Sequence, residues 1–145
     1  MAEILYKVGD RVSVDEFTEV LRSSTLGERR PIDDRECIEK MVKNANLIVT
    51  ARSERKLIGI ARSMTDFSYA AYLSDLAVEE AFQGHGVGRE LIRLTRERLG
   101  PRCSLILLSA PGAVDYYPRM GFEKHPQAWV LPPGKQVECE NDKNR

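Results

Sequence analysis

The spacing of apolar residues changes period along the chain, and each period predicts one kind of element. Apolar residues that recur every three or four positions predict amphipathic helices, whereas β-rich runs between turn residues predict strands. The predicted elements are a strand at 4–8, helices at 14–23 and between 34 and 44, strands at 47–52, 57–64 and 69–78, a helix at 88–99, a strand at 104–108, a short helix at 113–120, and a final strand pair beginning at 121–122 and at 127–131.

The starts of the first two helices carry recognisable caps. Ser13 followed by Glu16 three residues later is a capping-box pattern, and either Asp33 or Asp34 can cap the second helix. The segment 23–31 between these helices contains Gly27 and Pro31 and has no apolar period, so it is predicted to be a loop that carries specificity residues.

The order of elements predicts an α/β (α+β) fold with a mixed, mostly antiparallel sheet. Three successive strands lead into the helix at 88–99, and the nearly continuous apolar run at 104–108 predicts a strand covered on both faces. A right-handed crossover would place that strand parallel to the strand ending at Val78, as a central parallel pair flanked by helices. One domain at 1–131 is expected, followed by a mobile tail at 132–145 that is rich in Pro, Gly and charge.

A glycine-rich turn, Gln83-Gly84-His85-Gly86-Val87-Gly88, connects the third of these strands to the helix. Glycines allow the backbone to approach a ligand, and the free N–H groups at a helix N-terminus favour phosphate oxygens. Arg89 stands where a dinucleotide fingerprint needs its third glycine, and no Gly-Lys-Ser/Thr of a P-loop is present. The turn therefore predicts a pyrophosphate cradle, with a tight turn that binds nothing as the alternative.

Composition and charge exclude several classes of partner. Twenty-two basic residues balance 22 acidic ones, so no net positive charge is available to hold nucleic acid or an anionic membrane. No apolar run has membrane-spanning length and the N-terminus lacks a signal-like apolar segment, so a cytoplasmic protein is expected. Cys37, Cys103 and Cys139 are few and far apart, which predicts free thiols and neither a disulfide framework nor a metal site.

The pattern Gln83-x-x-Gly86-x-Gly88 resembles the Gln/Arg-x-x-Gly-x-Gly/Ala signature of the GCN5-related N-acetyltransferases (GNAT), whose cosubstrate is acetyl-CoA. A second segment, from Ala113 through Tyr117 to Gly121-Phe122, resembles the family's Ala-x-x-x-Tyr-x-x-x-Gly-Phe motif. The resemblance covers roughly residues 3–131. Within the family, the stretches 57–62, 75–78 and 82–88 are most similar to serotonin N-acetyltransferases of the plant and cyanobacterial type.

The resemblance implies a set of acetyl-CoA contacts. The residues so implied are Leu76, Ala77 and Val78 for the pantetheine arm, and Gln83, Gly84, His85, Gly86, Val87, Gly88 and Arg89 for the pyrophosphate. A backbone N–H of the first group would polarise the thioester. Ala110 stands where the family often has Asn, so Ser109 is the predicted replacement for that contact. The His85 side chain is expected to point to solvent and not to act as a base.

Acetyl transfer to an amine needs a base, a donor to the oxyanion and a proton for the departing thiolate. The motif position of Tyr117 and the high pKa of a phenol, about 10, favour this residue as general acid, with a packed aromatic beside Tyr116 as the alternative. Asp75 is the implied general base, with a solvent-facing or hydrogen-bonded strand residue as the alternative. Candidates of lower weight for this chemistry are Glu79, Glu80 and Tyr72.

The acceptor is the least determined feature. Tyr69, Tyr72 and Trp129 could wall an aromatic-amine pocket, although aromatic residues near sheet ends also pack without a ligand. Residues that could instead contact a carboxylate or a peptide are Arg22, Glu28 and Arg30.

The predicted function is transfer of an acetyl group from acetyl-CoA to the primary amine of a small molecule, with arylalkylamines among the candidates. Direct transfer in a ternary complex is expected because no cysteine is placed to carry an acetyl group. A protein or peptide N-acetyltransferase and a non-catalytic acyl-CoA-binding module are the alternatives. A homodimer is expected by analogy with the family.

Overall fold

The computed structural model describes residues 2–138, and within them every strand and α-helix lies before residue 107. The elements are β1 Ile4–Val8, α1 Val14–Ser23, α2 Arg35–Asn44, β2 Leu47–Ser53, β3 Lys56–Thr65, β4 Ala70–Val78, α3 Val87–Glu97 and β5 Ser104–Ile106. Short 3-10 turns occur at Leu26–Arg29, Glu80–Phe82, Pro111–Ala113 and Tyr117–Met120. The chain divides into two compact units, one up to residue 110 and one from residue 111.

The five strands form one mixed sheet in the order β1-β2-β3-β4-β5. Neighbours are antiparallel except for β4 and β5, which are parallel, as predicted. This pair lies at the edge of the sheet and not in its centre, because the described chain forms no strand after Ile106. β5 is also shorter than predicted, and it is not covered on both faces, since Ile106 is 52% exposed.

The predicted final strands, beginning at 121–122 and at 127–131, are wrong for the described chain. Pro126 separates them and cannot donate a ladder hydrogen bond, and a run of three to five residues has no stability as a strand without a partner. The predicted helix at 113–120 is not formed, and the 3-10 turns Pro111–Ala113 and Tyr117–Met120 are separated by turn residues 114–116. Pro118 has no N–H to donate to the Val114 carbonyl, so an α-helix cannot continue through it without losing a hydrogen bond. Cys139 and the end of the predicted tail, 139–145, lie outside the described residues.

The helix starts follow the caps read from the sequence. Ser13 Oγ accepts from the Glu16 N–H, and Glu16 Oε2 accepts in return from the Ser13 N–H, which completes the capping box. Of the two candidates for α2, Asp34 is the cap, because its Oδ1 accepts from the Cys37 N–H. These bonds satisfy backbone donors that the first helical turn leaves without a carbonyl partner.

The core forms where α1 and α2 meet the sheet. Its fully or nearly buried members are Phe17, Val20, Leu21, Ile38, Leu57, Ile60 and Ala77. Helix α3 packs against β2 and β3, and at Gly59 a Cβ would lie 3.2 Å from side-chain carbons of both Leu91 and Val87. The absence of a side chain at Gly59 therefore lets the N-terminal turn of α3 sit close to the sheet.

A charged cluster joins β2 to the N-terminal segment. Arg52 donates to Asp10 Oδ2 at 2.9 Å and to Glu16 Oε1 at 2.6 Å, and Thr50 Oγ1 donates to the same Asp10 oxygen at 2.8 Å. Burial alone would raise the pKa of Asp10, but the hydrogen bonds from Arg52 and Thr50 lower it below its usual value. The hydrogen bond from Arg52 likewise lowers the pKa of Glu16, against a smaller effect of burial.

Replacing Arg52 by glutamine is expected to lower the free energy of unfolding by about 2 kcal/mol at neutral pH. Arg52 lowers the pKa values of Asp10 and Glu16 in the folded state, so its stabilisation of the fold is complete at pH values above the unfolded-state pKa values, near 4. This stabilisation disappears as the pH falls through the lower pKa values of the folded state. Urea unfolding at pH 7, 5 and 3 should show the two proteins converging in acid. Arg35→Gln, which breaks an exposed pair with Asp15, is the control, and a difference independent of pH would contradict the assignment.

Candidate active site

The glycine turn at the start of α3 has the backbone geometry that a cradle requires. Gly84 and Gly86 have φ values of 80° and 82°, in the left-handed region, and Gly86 is the N-cap of α3 without a side-chain hydrogen bond. The N–H groups of Val87, Gly88 and Arg89 belong to the first helical turn, so they have no carbonyl partner within the helix. These donors suit an anion, and a Cβ on Gly84 or Gly86 would meet nothing within 4 Å.

Gln83 holds the turn in place and is not one of its free donors. Its N–H donates to Glu80 O at 3.2 Å and so closes the 3-10 turn Glu80–Phe82. Its side-chain Nε2 donates to Val78 O at 2.8 Å. The N–H of Gln83 is thus engaged within the turn, and its contact with a pyrophosphate stays a prediction. The side chains of His85 and Arg89 are exposed, in agreement with the expectation for His85.

One acidic residue stands close to the cradle, and its charge is paired. The carboxyl of Glu90, in the first turn of α3, accepts from Arg93 Nη2 at 2.6 Å and from Arg93 Nε at 2.9 Å. These hydrogen bonds lower the pKa of Glu90, with burial acting weakly in the opposite direction. The pairing with Arg93 limits the repulsion that a carboxylate at a helix N-terminus would exert on a bound phosphate.

The strand before the turn has one open edge. β5 pairs with β4 only from Ala70 to Tyr72, whereas β3 pairs with β4 from Ala71 to Val78 with one irregularity. From Leu73 to Val78, the β5 side of β4 has no strand neighbour among residues 2–138. The predicted pantetheine contacts at 76–78 lie on this segment, where an extended ligand could add to the sheet as a strand does. Ser109 is half-buried and follows β5.

β4 contains a bulge within this open segment. Asp75 is paired with Arg62 and Leu73 with Ser63, so Ser74 is an extra residue without a partner in the register. Burial alternates along β4, and Asp75 points inward while Ser74 and Leu76 lie on the opposite face, as the sequence predicts.

The Asp75 carboxylate lies in the interior between two guanidinium groups. Arg30 Nε donates to its Oδ1 and Arg62 Nε to its Oδ2, each at 2.5 Å, and no part of the Asp75 side chain is exposed. Arg62 also donates to Met41 O at 3.1 Å and to Ser74 Oγ at 2.9 Å. Since both oxygens are engaged and shielded, Asp75 could accept a proton from an acceptor amine only after one of the arginines had moved away.

Sequence reasoning did not assign this pairing. It proposed Arg30 only as an acceptor contact, and it gave Arg62 no role. A signal was available, because an aspartate on the inward face of a strand must be paired with a cation if it is to be buried. The pattern could not say which of the chain's arginines would provide that cation.

Tyr117 belongs to the second unit, in the 3-10 turn Tyr117–Met120. Its ring packs edge to face against the rings of Tyr116 and Phe122, with centroid separations of 5.2 and 5.5 Å. Gly121 ends the turn with a φ of 96°, which explains the glycine of this motif. Trp129, also in this unit, is 94% exposed.

The remaining acceptor candidates lie in the first unit at two places. Tyr69 and Tyr72, at the start of β4, are exposed to solvent. A cavity of about 230 Å³ opens at the turn between α1 and α2, and two of the predicted acceptor residues line it. Its lining residues are Arg22, Thr25, Gly27, Glu28 and Ile32.

No helix among residues 2–138 is long and apolar enough to span a membrane. No group of three or more His, Cys, Asp or Glu side chains in that part of the chain is arranged to hold a metal ion.

The chain is similar to acetyltransferases of plants. It is 37% identical over 78 residues to the chloroplastic GCN5-related N-acetyltransferase 2 of Arabidopsis thaliana, over 52% of this chain and 30% of that protein. It is 29% identical over 138 residues to the histone acetyltransferase TAP1 of Glycine max, over 86% of this chain and 58% of that protein. The chain thus spans less than two thirds of the length of either relative.

The fold is shared with a solved structure of an aminoglycoside N-acetyltransferase, AAC(6')-Iy, in complex with CoA. The TM-score is 0.69 at 14% sequence identity, over 93% of this chain and 97% of that chain, and at this identity the likeness concerns the fold alone. A family model described as an acetyltransferase (GNAT) domain matches residues 23–130, which is well over half of the chain. With the glycine turn and the β4 edge in the arrangement described above, the chain belongs to the GNAT acetyltransferase family.

Proposed function

We propose that the chain transfers the acetyl group of acetyl-CoA to the primary amine of a small molecule, by direct transfer in a ternary complex. The observation that carries this proposal is the open edge of β4 running into the glycine turn at the N-terminus of α3. An extended ligand that ends in a pyrophosphate fits this combination, because the edge offers backbone hydrogen bonds and the turn offers N–H donors.

Each step of the transfer has a candidate group in the chain. The amine nitrogen attacks the thioester carbonyl carbon, and a backbone N–H of the β4 segment 76–78 would stabilise the oxyanion that forms. The carbon–sulfur bond then breaks, and the Tyr117 hydroxyl would protonate the departing thiolate. The amine must lose a proton as well, and bound water suits that role while Arg30 and Arg62 occupy Asp75.

Direct transfer is favoured over a covalent acetyl-enzyme by the positions of the described cysteines. Cys103 is 2% exposed and its Sγ lies 3.7 Å from Ser104 O. Cys37 is partly exposed, but it belongs to α2 and not to β4 or the glycine turn. A thiol must be accessible to receive an acetyl group. A cytoplasmic location and a homodimer stay predictions.

A protein or peptide amine is the second candidate acceptor, because the Glycine max relative is named a histone acetyltransferase. A thiol-release assay with acetyl-CoA and a panel of tryptamine-like amines, polyamines, amino acids and N-terminal peptides separates the two. Turnover confined to small amines supports the proposal, and turnover confined to peptides contradicts it. CoA binding without turnover of any acceptor would favour a non-catalytic binding module.

Gly86→Ala is expected to raise the dissociation constant for CoA about tenfold, because the new Cβ would enter the space in front of the cradle N–H groups and strain the left-handed backbone. Gly9→Ala is a matched control, since Gly9 has a similar φ of 77° and open surroundings at the end of β1. Isothermal titration calorimetry with CoA measures the effect. Equal weakening in both variants would show that general destabilisation, and not the cradle, is responsible.

A further inference from the structure

Arg30 connects the turn after α1 to the bulge of β4 by two hydrogen bonds. Its Nε donates to Asp75 Oδ1 at 2.5 Å, and its Nη2 donates to Ser74 O at 2.8 Å. Ser74 has no register partner, so its carbonyl is accessible to a side chain of another element. Arg30 thus contacts β4 at the residue before the segment 76–78, which is proposed to hold the pantetheine arm.

The two arginines that bind Asp75 belong to different parts of the fold: Arg62 lies on a strand and Arg30 on a loop. Arg62 is buried on β3 and bonded to β4 and α2, so it is part of the interior. Arg30 is 22% exposed and belongs to the loop after α1. Leu26 and Ile32 of this loop pack against the core, and Arg30 adds an ion pair with β4. Its removal would leave the Asp75–Arg62 pair intact, whereas the loop would lose its charged contact with β4.

The turn that Arg30 holds has an unusual backbone. Thr25 has a φ of 71°, which is a rare conformation for a β-branched residue and is kept only where the surroundings impose it. Gly27 is buried, and a Cβ there would lie 3.2 Å from Ile32 Cδ1 and from backbone atoms of α1. The same residues line the cavity of about 230 Å³, so the shape of that cavity depends on this backbone conformation.

We propose that Arg30 is a positioning residue for the acceptor, fixing the turn at 25–30 and its cavity against β4 through Asp75 and Ser74. This inference rests on the proposed function. The cavity is smaller than the pockets that enclose drug-sized ligands, so it would receive the body of a small amine and not a folded protein segment. Arg30 would act on the acceptor through the turn, without contact with the reacting atoms.

The test compares Arg30→Ala with Arg29→Ala, its exposed neighbour in the same turn. With the best amine of the panel as acceptor, Arg30→Ala should raise the acceptor KM about tenfold, because the turn that lines the cavity loses its charge-assisted contact with β4. The kcat and the dissociation constant for CoA should not change. Because Arg30 is partly exposed, millimolar guanidinium chloride should lower the KM of Arg30→Ala again and leave Arg29→Ala unaffected.

Hydrogen exchange supplies a readout that does not need activity. The amides of Thr25, Glu28, Arg30 and Ile32 are hydrogen-bonded within this segment, and they should exchange faster in Arg30→Ala than in Arg29→Ala. Unchanged exchange, or an acceptor KM that rises no more than the CoA dissociation constant, would overturn the inference. If the wild-type protein acetylates no amine, the proposed function fails, and the contact between Arg30 and β4 is then judged by the exchange data alone.

Discussion

Replacing Tyr117 by phenylalanine is expected to lower kcat about a hundredfold while the dissociation constant for CoA stays the same. The phenol is the proposed donor to the departing thiolate, and phenylalanine keeps the ring that packs against Tyr116 and Phe122. The loss should therefore fall on the chemical step and not on folding or CoA binding. Steady-state thiol release gives kcat, and calorimetry gives the CoA affinity.

Tyr116→Phe is the matched control, because it removes a hydroxyl from the adjacent residue and leaves the same aromatic cluster. It should retain the kcat of the wild-type protein. If Tyr117→Phe turns over at the wild-type rate, Tyr117 is a packed aromatic and another group protonates the thiolate. If both variants lose activity together, the cluster has a structural role.

Replacing Asp75 by asparagine is expected to lower the free energy of unfolding by about 3–5 kcal/mol. The carboxylate is fully shielded and neutralises two guanidinium groups, so its loss leaves Arg62 charged in the interior without an anionic partner. Urea unfolding measures the loss. Asp15→Asn, which breaks the exposed pair with Arg35, should change stability by no more than about 1 kcal/mol.

The same variant tests the prediction that Asp75 is the general base. If Asp75 acts only by holding Arg30 and Arg62, folded Asp75→Asn should resemble Arg30→Ala, with a raised acceptor KM and a preserved kcat. If Asp75 is instead the general base, kcat should fall in Asp75→Asn and not in Arg30→Ala. The kcat and the acceptor KM should be measured at a temperature at which circular dichroism shows that both variants are folded.

Local patterns predicted much of the N-terminal unit. The capping box at Ser13 and Glu16, the Asp34 cap and the bounds of α1 follow from hydrogen bonds within a few residues, which a sequence displays directly. The alternation of strand side chains also predicted that Asp75 lies on the opposite face from Ser74 and Leu76, and the structure shows that the face of Asp75 is the buried one. The Gly86 turn was predictable for a similar reason, since only glycine adopts such φ values freely.

The failures came where a segment depends on a distant partner. The run at 127–131 has strand-like composition, yet a strand exists only when another strand supplies its hydrogen bonds, and residues 2–138 provide none for it. The exposure of Ile106 was missed for the same reason, because an apolar run shows what could be covered and not what covers it.

The sequence by itself determined the family through its two motifs, the starts of the first two helices, and the left-handed glycine turn at Gly86. The tertiary structure alone decided which charges meet. Arg30 and Arg62 lie 45 and 13 residues from Asp75, and only the folding of a loop and two strands brings them to one carboxylate. The physical reason is that burial of a charge requires a counter-charge but does not specify where in the chain that counter-charge stands.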